Sequence, residues 1–502
     1  MKKKDIIDAI NDIEDEYIVE AAPHNTAEQA STHTHAFFKH RRPLIFAAAA
    51  ACAAIVVGVL ALTGVLSRSG KPSDSEAQHS LYRPFCLAEA VYPETVPYAD
   101  WDSYYNENIF DSQGYDAAYT AWREVNNERQ NQPEGYRENM TDFYEATMRE
   151  LLSSTQENLV YSPLNLYIAL GMLAETTDGN SRAQILRLLG VNDITSLRAK
   201  TKALWRANYQ DDGRTTSVLA NSLWLSSDIS YNKATLEHLA EDYLASAFYG
   251  QMGSADYNHA LQAWVNTQTG GLLEKEASAL EMDSDTVAAL VSTIYFQAAW
   301  QSKFYRTERG TFHGVTSDAE CDFMKQKDIG AIYTGNNFSA TAHFLNGSGA
   351  MWFILPDAGC TPAELLSGSE LAAFLSAPSE WEDYTCAEIN LSVPKFDVTS
   401  DIDLIEKLRA LGITDVLDSS VSNFTPLTTD FDYLFLSSAQ HAARVTIDEE
   451  GCTAAAYTFL EMKDESAPII DISRDFIVDR PFLFAITSDD GSLLFVGVVN
   501  QL

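Results

Sequence analysis

Residues 448–476 read DEEGCTAAAYTFLEMKDESAPIIDISRDF, and this stretch decides how the rest of the chain is interpreted. An aspartate, two glutamates and a glycine open it, small residues follow, and its second half is rich in Asp and Ser and contains Pro468, as in exposed loops. If the first half formed a strand, alternate residues would face opposite sides of a sheet. The stretch is therefore predicted to be a loop whose first half can become a strand. One face of that strand would be small or apolar throughout: Cys452, Ala454, Ala456, Thr458, Leu460 and Met462.

Eight further blocks of sequence support a single interpretation. Their order and approximate spacing, together with the loop, resemble the serpin family over residues 139–502. The resemblance implies an α+β fold with a large, mostly antiparallel central sheet, two further sheets and about nine helices. The blocks are NLVYSPLNLYIALGML (158–173), WVNTQTGG (264–271), LVSTIYFQAAW (290–300), VPKFDV (393–398), LRALGITDVL (408–417), HAARVTIDEEG (441–451), RPFLFAI (480–486) and LFVGVV (494–499).

The resemblance implies that the loop is a bait for a serine protease. The protease would attack the loop and form an acyl-enzyme, and the freed first half would then insert into the central sheet as a new strand. No proline or charge stands on the predicted inward face, which favours an inhibitory serpin. A non-inhibitory surface binding protein and an inhibitor of cysteine proteases are the alternatives. The residues of the implied hinge are Glu449, Glu450, Gly451, Cys452, where threonine is usual, Thr453, Ala454, Ala455 and Ala456.

The scissile bond is placed by counting from the hinge. The family's usual spacing from Glu449 gives Glu465–Ser466, which suits a glutamyl-specific protease. The segment between that bond and Arg480 is longer than usual, so later cleavage is also considered. The other candidates are Ala467, Ile469 and Ile470 for an elastase-like protease, and Lys463 and Arg474 for a trypsin-like one.

Five residues match the family's shutter and breach, where the central sheet opens. Ser162, Asn165 and His441 occupy shutter positions, although Asn165 stands where serine is usual and Ser292 where asparagine is usual. We interpret this as an exchange of two polar residues that preserves a hydrogen bond to His441. Trp300 matches the breach tryptophan, beside which the loop first enters.

Composition argues against several other functions. The net charge of −37 disfavours binding to nucleic acid. No GxSxG, HExxH, Walker or strand-following GxGxxG motif occurs, and the six cysteines form no CxxC pair. We therefore expect a monomer with no enzymatic activity, metal or cofactor, and with free thiols rather than a disulfide framework.

The chain before the serpin-like region predicts a membrane anchor. Residues 43–66 carry no charge and, at about 1.5 Å per helical residue, are long enough to cross about 30 Å of hydrocarbon. The basic segment 39–42 predicts that residues 1–42 form a cytoplasmic tail of a single-pass bacterial protein whose remainder is exported. A cleaved signal peptide is the alternative. Residues 67–138 would be a spacer and an aromatic-rich extension, which either packs against the serpin domain or binds a separate partner.

Overall fold

The computed structural model describes residues 74–106, 109–347, 349–452 and 472–502. These residues contain twelve α-helices rather than about nine, because α1 and α2 belong to the aromatic-rich extension and α9 is a single turn. The helices are α1 Asp74–Tyr82, α2 Ser112–Gln130, α3 Thr141–Leu151, α4 Pro163–Thr176, α5 Gly179–Leu188, α6 Ile194–Asn208, α7 Lys233–Asp242, α8 Ala255–Gln268, α9 Glu274–Ala277, α10 Pro362–Ser367, α11 Glu370–Ser376 and α12 Ile405–Ala410.

The central sheet has eight strands in the order β1-β7-β6-β8-β16-β15-β14, with β5 beside β6. All pairings are antiparallel except the pairing of β6 with β7. The mostly antiparallel central sheet implied by the family resemblance is thus present. Its strands are β1 Cys86–Ala88, β5 Gln210–Asp211, β6 Thr215–Ser226, β7 Ala245–Gly250, β8 Ala288–Ala299, β14 Phe396–Asp403, β15 Gln440–Ile447 and β16 Gly451–Cys452.

A second sheet has nine strands, whereas the family resemblance implies two separate further sheets. The long strand β10 pairs with both β13 and β11 and so joins two groups of strands into one sheet. Its strands are β4 Leu159–Tyr161, β9 Arg306–His313, β10 Asp318–Thr334, β11 Phe338–Phe344, β12 Ala350–Pro356, β13 Tyr384–Pro394, β17 Ser473–Ile477, β18 Phe482–Thr487 and β19 Leu493–Val499. A hairpin of β2 Tyr105–Asn106 and β3 Ile109–Phe110 completes the strands of the described residues.

Helices α4 and α8 lie against opposite faces of the central sheet. Helix α4 is buried at every position except Ala169, as expected for a helix that is apolar all round. It begins at a Ser162 cap, whose Oγ accepts the amide of Asn165, with Pro163 in the first turn. Helix α8 packs on the opposite face, in a separate apolar cluster that includes Trp224 and Trp264. The central sheet is thus covered on both faces where the loop would enter.

Several sequence predictions fall outside the described residues. They include the tail 1–42, the anchor 43–66, the hinge residues after Cys452 and all the scissile-bond candidates except Arg474. Within the described ranges, no helix is long and apolar enough to cross a membrane. Free thiols are found at Cys86, Cys321, Cys360 and Cys386, of which Cys386 is exposed and the others are partly buried.

Candidate functional site

A tight turn forms the start of the predicted hinge. The amide of Asp448 donates to the carbonyl of Gly451 at 3.0 Å. The Asp448 carboxylate in turn accepts the amides of Glu450 at 2.8 Å and Gly451 at 3.1 Å. The turn reverses the chain after β15, so that Ile447 and Cys452 become opposite partners in an antiparallel ladder. The hinge is therefore held by its own backbone and one carboxylate.

Strand β16 enters the central sheet between β8 and β15. Gly451 pairs with Ala299 and Cys452 with Ala298 on β8, while Cys452 also pairs with Ile447 on β15. A Cβ atom on Gly451 would lie only 2.4 Å from the Ala298 carbonyl oxygen, so the close approach requires glycine. The Cys452 side chain is 1% exposed and belongs to the main core. The first two residues of the predicted strand are thus already paired within the central sheet.

The two hinge glutamates are each held by a lysine. Glu449 lies 2.5 Å from the Lys395 ammonium and accepts the Thr307 hydroxyl at 2.7 Å. Burial would raise the pKa of Glu449, but the hydrogen bonds from Lys395 and Thr307 hold it below its ordinary value. Glu450 pairs with Lys303. The Glu449 carboxylate is consequently charged at neutral pH, and the two ion pairs tie the turn to the neighbouring strands.

Trp300 closes the breach above the hinge. Its indole N–H donates to the Asp448 carbonyl at 2.8 Å, and its backbone amide donates to the Glu450 carbonyl at 3.0 Å. Its buried ring packs against Phe304 and, at 4.9 Å between ring centroids, against His343. The tryptophan therefore binds the turn by two hydrogen bonds.

Strands β8 and β15 have unshared edges below Cys452 within the described residues. There β8 pairs along its length with β6, and β15 with β14. Among the strands of the described residues, β16 is the one that joins β8 to β15. Strand β16 therefore marks the line along which a continuing strand would run between β8 and β15.

The shutter residues meet beneath this place, with one difference from the prediction. Ser292 Oγ donates to the side-chain oxygens of Asn165 and Asn221, and Asn165 Nδ2 donates to the Ser292 carbonyl at 3.0 Å. The exchanged pair is thus in contact. His441 instead accepts the amide of Ser162 at Nε2, at 3.0 Å, so the expected hydrogen bond from the pair to His441 is replaced by one from the backbone.

Sequence reasoning missed several residues of the site. Lys395 lies within the VPKFDV block, but a strand pattern does not show which carboxylate a lysine will meet. Lys303, Thr307 and His343 stand outside every block, and their contacts depend on strand registers that are set far away in sequence. Asn221 likewise gives no signal, because its neighbours resemble any buried strand.

Two buried histidines make the native state sensitive to acid. Burial lowers the pKa of both His343 and His441 to about 4, from an ordinary value of 6.5. The native protein therefore keeps them neutral while the unfolded chain takes up protons, so their contribution is complete above pH 6.5 and is lost as the pH falls toward 4. Between pH 7 and 5 we expect each histidine to remove about 2 kcal/mol of stability.

This expectation is tested by urea unfolding at pH 7 and pH 5. The double variant His343→Gln, His441→Gln should lose clearly less stability between the two pH values than the natural chain. An equal loss in both proteins would assign the acid sensitivity to carboxylates instead.

Comparison with known proteins agrees with this fold. Mouse (Mus musculus) Serpin B11 is 27% identical over 383 residues, 71% of this chain and 97% of the relative. The native-state structure of tengpin, a thermophilic serpin, aligns with a TM-score of 0.66 at 24% identity, covering 74% of this chain and 95% of tengpin. Human thyroxine-binding globulin, solved with its ligand, aligns with a TM-score of 0.63 at 21% identity, covering 73% and 99%.

The family assignment rests on the extent of one match. The family model described as Serpin (serine protease inhibitor) matches residues 138–502, which include both large sheets except strand β1 and every residue of the hinge and shutter. The chain belongs to the serpin family.

Proposed function

We propose that this serpin inhibits serine proteases as a suicide substrate, by inserting its cleaved loop between β8 and β15. One observation carries the proposal: β16 already pairs with both strands at the point where their edges part. Insertion would then extend an existing strand rather than start a new one, which removes the cost of nucleating the ladder.

Extending the two ladders gives the register of the inserted strand. Residues 453–462 would lie along β8 from Gln297 to Ala288, and Thr458 would lie opposite both Ser292 and His441. Cys452 fixes which face turns inward, since it lies in the main core. The small or apolar set identified in the sequence then faces the core on the α4 side, and the shutter lies where the middle of the strand would arrive.

The chemistry of the trap belongs to the protease. Its serine attacks the loop and forms the acyl-enzyme, and this chain only has to insert before water hydrolyses the ester. Insertion gains ladder hydrogen bonds and about 25 cal/mol per Å² of buried apolar surface, so the uninserted form is held kinetically above its ground state. Displacing even one oxyanion-hole donor of the attached protease costs roughly 100- to 1,000-fold in rate.

The proposal is tested by incubating residues 67–502, which contain the whole compact unit 71–502, with serine proteases of different specificity. We expect an adduct that survives boiling in denaturant, and a released peptide whose first residue identifies the scissile bond. A released peptide that begins at Ser466 would identify Glu465–Ser466 as the bond cut by a glutamyl-specific protease. A peptide that begins later would identify one of the elastase-like candidate bonds. If adducts formed with cysteine proteases alone, the target would be a cysteine protease rather than a serine protease. Cleavage without any adduct would favour the alternative of a non-inhibitory binding protein.

We further propose that the chain acts at a membrane surface, on its exported side. The uncharged segment 43–66, with basic residues before it, supports this proposal. Cell fractionation should find the serpin in the membrane fraction, and protease added outside intact cells should reach it. Recovery in the soluble fraction would contradict the anchor.

A further inference from the structure

Residues 74–106 and 109–138 wrap around the serpin domain, and we call them the strap. We propose that the strap slows loop insertion by holding α8 down on the central sheet. The inference rests on the proposed function, because it assigns a control element to the same insertion step.

The first part of the strap packs directly on α8 and the sheet edge. Tyr82, only 6% exposed, belongs to the cluster that contains Trp264 of α8, and its ring lies 5.9 Å from that of Phe248. Phe85 lies 5.1 Å from the ring of Tyr257 on α8. Strand β1 pairs with the outer strand β7 and so adds a strand to the central sheet. Helix α8 is thus clamped between the strap and the sheet.

Helix α8 and the turn after it cover the place where the loop would insert. On one side of that place, α8 shares an apolar cluster with Ala289 and Val291 of β8. On the other side, the Leu272 carbonyl after α8 accepts a hydrogen bond from Arg444 of β15 at 3.2 Å. The covered face is the one opposite the main core.

The inserted strand would turn bulky side chains toward α8. In the register given above, Tyr457 lies opposite Thr293, and Phe459 lies opposite Val291, which already packs in the α8 cluster. Because Val291 already contacts the α8 cluster on this face, the added rings would occupy space that α8 now covers, so α8 must lift away from the sheet before they can enter. Any contact that holds α8 down therefore raises the barrier to insertion.

The other end of the strap is fixed elsewhere on the domain. Trp122 donates its indole N–H to Asp212 at 2.9 Å, and Arg129 binds the Asp489 carboxylate in the turn between β18 and β19. Arg137 donates to the Gly491 carbonyl in the same turn at 2.8 Å. Because these anchors do not involve α8, the strap cannot simply follow the helix when it lifts.

The test compares full-length chains purified in detergent. The variant carries Tyr82→Ala and Phe85→Ala, which remove both aromatic contacts of the clamp. The control carries Trp101→Ala, because Trp101 is 42% exposed and its ring contacts are with Tyr105, Phe110 and Tyr115 of the strap itself. Each chain is incubated without protease, and its conversion to a heat-resistant form that no longer makes an adduct is timed.

The double variant should convert at least about tenfold faster than the natural chain, because lowering a barrier by ~1.4 kcal/mol raises the rate tenfold. The control should convert at the natural rate. Should the double variant fail to fold, the milder Phe85→Leu should show a smaller increase in the same direction. An unchanged conversion rate in the folded variants would overturn the proposal that the strap slows insertion, but not the proposed inhibitory function. A chain that gains no heat resistance even after its loop is cut overturns the strap and the proposed function together.

Discussion

Ala456→Glu is expected to turn the inhibitor into an ordinary substrate, whereas Ala455→Glu should leave adduct formation largely intact. In the extended register, residue 456 faces the core between Ile294 and the buried Ala443. An unpaired carboxylate there costs several kcal/mol. Residue 455 faces the α8 side, opposite Arg444, which already pairs with Asp397, so a new carboxylate there lies beside a positive charge rather than in the apolar core. The two variants carry the same charge one residue apart.

The measurement is the ratio of adduct to cleaved chain on a denaturing gel, with a protease that traps the natural protein. Slowing insertion by ~3 kcal/mol should lower this ratio about 100-fold for Ala456→Glu. Equal ratios for the two variants would show that the strand does not insert with the inward face assigned here.

Gly451→Ala is expected to abolish adduct formation by displacing the seated start of the strand. The added methyl would lie 2.4 Å from the Ala298 oxygen and 2.9 Å from the Ala299 Cα, both backbone atoms that cannot turn aside. Relieving the clash requires β16 to leave the gap, and overpacking of this kind costs about 1–3 kcal/mol or more.

Gly368→Ala is the matched control. A Cβ at Gly368 has the Leu365 carbonyl oxygen as its nearest neighbour at 3.8 Å, and the residue has an ordinary negative φ. Thermal unfolding and the adduct assay should separate the two variants. Normal trapping by Gly451→Ala would mean that β16 is not the starting point of insertion.

Local pattern predicted the burial of one residue on the strand side of the site, and the rest of that side stays a prediction. The alternation after Gly451 indicated an inward face, and Cys452, the described member of that set, lies in the core. The exchange between Asn165 and Ser292 was also visible, since both positions stand in recognisable blocks. The partner of His441 was not visible in the sequence. His441 accepts the backbone amide of Ser162, and a backbone amide has no signature in sequence.

Contacts between distant segments could not be predicted in the same way. The aromatic residues before the serpin-like region indicated a packed extension or a separate module, but not that Tyr82 and Phe85 would lie on α8. The bond between Arg129 and Asp489 joins residues 360 positions apart, and neither residue belongs to a periodic pattern. The joining of two predicted sheets through β10 likewise depends on how far one strand continues, which propensity alone does not decide.

The most direct test of the account is hydrogen exchange on residues 67–502 before and after the loop is cut by a metalloprotease, which forms no acyl-enzyme. The account predicts that cutting makes the amides of residues 453–462 newly protected and raises the thermal midpoint. The protected amides should be those that form hydrogen bonds with β8 and β15 in the register given above. Unchanged exchange in these residues together with an unchanged midpoint would contradict insertion, and with it the proposed trap.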